Sequence, residues 1–154
     1  MRRKTQSGLT LIELIVAFTI LLLLSGMAVP MARSKVRREK ERDLRWALRE
    51  MRTAIDRYKD ASDRGELGPV KADSNGYPES LEVLVDGVKL ANKVDQKIRF
   101  LRRLPKDPFT RNTDWGKRSV QDDPKSNSWG GQNVFDVFSK TMEKAADGTP
   151  YSEW

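Results

Sequence analysis

The residues of this chain that could do chemistry are carboxylates. The sequence has 154 residues with no histidine and no cysteine. That removes the Ser-His-Asp and Cys-His nucleophiles, thiolate and imidazole zinc sites, the CxxC redox pair and any disulfide. Asp122 and Asp123 are neighbours in an Asp-Asp-Pro turn. Adjacent side chains diverge on a strand, so they do not form the facing pair that carboxylate hydrolysis needs. Asp107-Pro108 reads as structural in the same way, and no enzymatic activity is expected. Asp136, Asp147, Ser152 and Glu153 offer oxygens to calcium, and Asp136 and Asp147 are the candidate metal residues. Calcium takes about six to eight ligands, and Asp147-Gly148 reads as a tight turn. No cofactor is expected, with calcium possible but disfavoured.

Glu13 is the carboxylate out of place. It is the only charge in LTLIELIVAFTILLLLSGMAVPMA, Leu9 to Ala32. The uncharged run from Leu14 to Ala32 spans about 28 Å as a helix, close to one hydrocarbon core. A single transmembrane helix is predicted over residues 9–32. A cleaved secretory signal peptide fits worse, because the apolar core is too long, contains a carboxylate and lacks an A-x-A exit. A carboxylate deep in a bilayer costs about 3 kcal/mol and survives where it has a partner or a task.

Residues 8 to 13 read Gly-Leu-Thr-Leu-Ile-Glu, behind Arg2, Arg3 and Lys4 and ahead of the apolar run. This resembles the class III prepilin signal of type IV pilins and type II secretion pseudopilins, with Leu9 where Phe is commonest. The resemblance implies that a membrane aspartyl peptidase cuts between Gly8 and Leu9 and methylates the new amine of Leu9. It also gives Glu13 a partner, the N-terminal amine of a neighbouring subunit. A carboxylate is favoured near a helix N-terminus and a cationic amine is not, so their pairing cancels two membrane charges. The pair exists only between subunits, which favours assembly. Pro30, a helix breaker beside Gly26, is expected to kink or locally melt the membrane half. In relatives a Pro near this place lets the helix loosen in the filament.

The rest of the chain is similar to the major pseudopilin of type II secretion. Gly76-Tyr77-Pro78 with Ser80-Leu81-Glu82-Val83-Leu84 resembles one of its elements. Phe100 to Phe109 resembles a second, and Asp136-Val137-Phe138-Ser139 with Ala146-Asp147-Gly148 and Trp154 a third. Many members follow the Asp-Gly with an acidic calcium loop that this chain lacks; here Trp154 is expected to pin the C-terminus.

These residues need elements to hold them. Val36, Leu44, Leu48, Met51, Ile55 and Tyr58, backed by Ala47, Ala54 and Ala61, keep helical spacing. One long helix is therefore predicted from Leu9 to about Ser62, its second half packed on a head. Residues 64–76 read as a loop, and Pro78 as the first residue of a short helix through Val85. Residues 89–104 are ambiguous. Val134 to Phe138 alternate as a strand, with Trp115 to Val120 as partner. The predicted fold is α+β, type IV pilin-like: a long N-terminal helix, half transmembrane and half amphipathic, on a small antiparallel sheet. The domains are a leader (1–8), a transmembrane and assembly helix (9–32) and a periplasmic head (33–154).

The formal charge is +7, of which three charges, on Arg2, Arg3 and Lys4, belong to the leader, leaving +4. Arg33 to Arg42 is a basic run that the positive-inside rule would hold in the cytoplasm, against the topology of the prepilin signal. The resemblance implies a filament subunit at the bacterial inner membrane, single-pass, its head in the periplasm, that drives export through an outer-membrane secretin. Its partners are then copies of itself, the prepilin peptidase, minor pseudopilins, the inner-membrane assembly platform and the secretin; nucleic acid is not expected. The alternative is a type IV pilin of a surface filament for adhesion, motility or DNA uptake.

Overall fold

The structure, a computed structural model, describes residues 10–154; the side chains of residues 26–32 and 93–95 stand outside that description. The chain divides into two compact units, Met1–Glu39 and Lys40–Trp154. A single helix, α1 (Leu11–Asp63), supplies all the regular structure of the first unit and the first element of the second.

In the first unit α1 starts where the sequence supplies a cap. The Glu13 amide donates to Thr10 Oγ1 at 3.3 Å and the Leu14 amide to the Thr10 carbonyl at 3.2 Å. Thr and Glu three residues apart are the sequence pattern of a capping box. The Thr19 hydroxyl donates to the Ile15 carbonyl at 2.8 Å, so a polar group on an apolar helix is satisfied locally. Where a kink or local melting is expected, near residues 26 to 32, the backbone is helical through Pro30 and is not melted. Among the described residues no helix is long and apolar enough to cross a membrane. The predicted span over residues 9–32 is therefore not supported by the described part. The apolar stretch with described side chains, residues 10–25, reaches about 24 Å against a core of about 30 Å. Leu9 and the side chains of residues 26–32, which the prediction also needed, lie outside the described residues.

In the second unit the predicted stripe is the core. Leu44, Leu48, Met51 and Ile55 are fully buried and Tyr58 nearly so, with Ala47, Ala54 and Ala61 between them. Val36, placed on the same stripe by spacing, is 53% exposed and belongs to the first unit. A left-handed turn at Gly65 leads to a short 3-10 helix, Ala72–Ser74, and then to α2 (Leu81–Asp86). Helix α2 begins after extended Ser80 and not at Pro78. Pro78 is buried and its carbonyl accepts the Val134 amide at 2.8 Å, a long-range bond that holds it out of the helix.

The expected single sheet is two separate ribbons. The ambiguous segment forms β1 (Val88–Leu90) and β2 (Lys93–Ile98), antiparallel, with a register shift after Lys89. The predicted pairing of the later segments appears as β3 (Gly116–Arg118) with β4 (Asp136–Phe138), Lys117 opposite Val137. A Cβ at Gly116 would lie 2.3 Å from the Phe138 ring, so the ribbon closes only with glycine there. A last 3-10 helix, Tyr151–Glu153, ends the fold. Leu81, Leu84, Leu101, Trp115, Val134, Val137 and Tyr151 join the α1 stripe in one core. The class is α+β, with a long N-terminal helix and small antiparallel sheets.

Candidate functional site

The cleavage and methylation residues, Gly8 and Leu9, lie outside the described residues, as does the side chain of Pro30. Glu13 stands in the first turn of α1, exposed to solvent. It makes no ion pair among the described residues. Its amide is held by Thr10, while a carboxylate in a first helical turn is favoured by the unpaired amides of that end. Leu11 is 80% exposed, and Ile12, Leu14, Ile15, Phe18 and Leu22 are also exposed. This short arc of chain therefore presents one negative charge within an apolar surface that no other described residue covers.

The candidate metal residues have other partners. Asp136, on β4, accepts Arg52 Nε at 2.7 Å and Arg52 Nη2 at 3.4 Å, one per oxygen, and Arg118 Nη1 at 3.4 Å. Arg52 also donates to the Val137 carbonyl at 3.2 Å and to a main-chain oxygen of Trp154 at 2.7 Å. Arg118, almost fully buried, donates to the carbonyls of Ser126 and Ser152 and lies 4.1 Å from the Phe138 ring centroid. One carboxylate between two guanidiniums thus ties α1, both strands of the second ribbon, the loop after β3 and the final 3-10 helix. Buried guanidinium is tolerated because its forked donors all find oxygens.

Asp147 is in an exposed turn. Its Oδ1 accepts the Thr149 amide at 2.9 Å, and Gly148 takes φ +88°. The Thr149 amide holds its carboxyl below the ordinary value, helped by the Thr149 side chain and the charge of Arg45. Asp136 and Asp147 are therefore engaged by different groups, and among the described residues no three carboxylates gather as a metal site. The acids weighed for hydrolysis also bind backbone. Asp107 accepts the amides of Phe109 and Thr110 and the Ser139 hydroxyl. Asp122 accepts the amides of Ser119 and Gly130, which hold it below its ordinary pKa. Asp123 accepts the Lys125 amide.

Residues 3–29 match the family model of the prokaryotic N-terminal methylation motif. The N-terminal segment is a prepilin-type signal. No curated protein and no solved structure matches the chain. The match covers residues 3–8 of the leader, the Gly8–Leu9 bond and Glu13, so the prepilin-type motif and the exposed apolar start of α1 coincide. It implies processing by a prepilin peptidase and a subunit of a type IV pilin-like filament.

Sequence reasoning missed Arg52, Arg118 and Tyr151. The two arginines were lost among many basic residues, and only the position of Arg52 beside buried Met51 marked it. Trp154 does pack, edge-on to Tyr151 with centroids 4.8 Å apart and with Arg45 4.2 Å over its ring. Tyr151 is the deeper anchor: it is fully buried, its ring stacks on Phe109 at 4.3 Å, and its hydroxyl donates to Glu41 at 2.7 Å.

Proposed function

We propose that the chain is a major-type pseudopilin, a structural subunit of a type II secretion pseudopilus. In this reading the prepilin peptidase cuts Gly8–Leu9 on the cytoplasmic side and methylates Leu9. The mature protein is held in the bacterial inner membrane by residues 9–32, with its head in the periplasm. An assembly platform and minor pseudopilins start the polymer, and its growth drives folded proteins through an outer-membrane secretin. The chain itself is neither an enzyme nor the carrier of a cofactor; its chemistry is the pairing of Glu13 with the amine of a neighbour.

The observation that carries this reading is the prepilin-type motif leading into a helix whose first turns leave their apolar side chains uncovered. Such a surface requires lipid, other copies, or both. Head-to-tail contacts between identical helices do not close, so they generate an open polymer. The three ordered elements at Gly76–Leu84, Phe100–Phe109 and Asp136–Trp154 favour the secretion pseudopilus over a surface pilus.

Intact-mass measurement of the membrane-extracted protein tests it. The expected mass is that of a chain starting at methylated Leu9. An N-terminus elsewhere, such as after Ala32, contradicts the reading; filaments found on the cell surface would assign the protein to a type IV pilus instead.

A further inference from the structure

Trp46 lies on α1 between Asp43 and Glu50, one residue before buried Ala47, and is 61% exposed. It borders two grooves of the head. The larger, of about 920 Å³, runs between α1 and the loop from Arg102 to Lys106, with Leu104 and Pro105 on its floor. The smaller, of about 380 Å³, continues past Arg49 and Arg57 to Phe100. Arg49, Arg57, Arg102 and Arg103 are exposed and form no ion pair or hydrogen bond among the described residues, so the two grooves that share Trp46 are lined by four guanidiniums without an acceptor. Trp and Arg are the residue types that dominate binding energy at protein interfaces. Asp43 and Glu50 stand on the same walls, which disfavours a uniformly negative phosphate chain and favours a polypeptide that meets both signs.

We propose that the Trp46 groove is the docking surface of the head for a second copy of this chain, which brings the acidic face of its α2 against the arginines. Glu82 and Asp86 lie one turn apart on α2 and are both exposed, Asp86 without an ion pair among the described residues, and half-buried Val85 stands between them. Groove and α2 are built from different residues, and they are neighbours, since the Phe100 and Leu101 amides at the end of the smaller groove donate to the Leu84 carbonyl of α2 at 3.0 and 2.9 Å, so one copy's groove takes another copy's α2. The inference rests on the filament reading: copies joined through their N-terminal helices raise the local concentration of heads to the millimolar range, where a small charged contact is populated.

The test is co-isolation of an untagged full-length copy with a tagged one from detergent-solubilised membranes. Trp46→Ala, at an exposed position, is expected to reduce recovery about tenfold or more. Arg102→Glu with Arg103→Glu should do the same, and adding Glu82→Lys with Asp86→Lys to the partner copy should restore it. Unchanged recovery with Trp46→Ala, or failure of the lysines to restore it, overturns the proposal. So does a Trp46-dependent mobility shift of a single-stranded oligonucleotide by the wild-type extract. Glu13→Ala separates the two levels. If it abolishes co-isolation and the groove variants do not, only the groove assignment fails; if it changes nothing, the filament reading fails.

Discussion

Leu11 to Leu24 and Leu44 to Tyr58 both carry large apolar side chains on α1, yet the first keeps them in solvent and the second buries all of them except Trp46. The first holds one charged residue, Glu13, and the second holds six. The second carries its apolar residues on one stripe with arginines and carboxylates elsewhere, so a head of modest size can cover it. The first is apolar around its whole circumference, a pattern that one small domain cannot cover. The helix thus buries its apolar stripe in the head at one end and leaves its apolar side chains exposed at the other. Glu13 lies on the uncovered stretch and makes no ion pair among the described residues. Asp136 lies in the head, where its partners are already supplied.

Three perturbations break or sharpen that contrast, each read as the thermal unfolding of the full-length protein in detergent. The largest is Arg118→Ala, which leaves the Asp136 carboxylate and the carbonyls of Ser126 and Ser152 short of a buried donor. About 3–5 kcal/mol of head stability should be lost, and an unchanged transition would mean the cluster is not structural. Next, Ile55→Ala should cost about 2–5 kcal/mol through its cavity, whereas Ile15→Ala should leave the head transition within about 0.5 kcal/mol of wild type. Equal losses at the two positions would erase the distinction between the stretches. The smallest expected effect is none: neither calcium nor a chelator should move the transition. A site at a hundred times its dissociation constant would add about 2.7 kcal/mol, and a rise abolished by Asp147→Ala would restore a metal to the C-terminal turn.

The α1 stripe was legible because burial on one helix face imposes a three- and four-residue spacing that chemistry alone reveals. The β3–β4 ribbon was legible for the same reason at period two. Pro78 misled because its propensity for a first helical turn is local, while the bond from Val134 that fixes it comes from far along the chain. The β1–β2 hairpin stayed ambiguous because its residues, from Lys89 to Lys97, are mostly polar and leave no periodic imprint. Among the candidate sites, the prepilin-type motif was legible through its resemblance to a known signal, which is carried by one short contiguous segment. The guanidinium pair on Asp136 was not, because nothing local distinguishes an arginine that meets a carboxylate 84 residues away from one that meets water.

The most direct measurement is the crosslinked multimer ladder of wild type and Glu13→Ala in cells, at matched membrane levels. On the proposed filament reading the charge is a cost to the inserted monomer and a contact in the polymer, so the alanine variant should insert as well as wild type or better and lose the ladder. A normal ladder from Glu13→Ala would contradict the account, because the one charge in the uncovered stretch would then have no part in bringing subunits together.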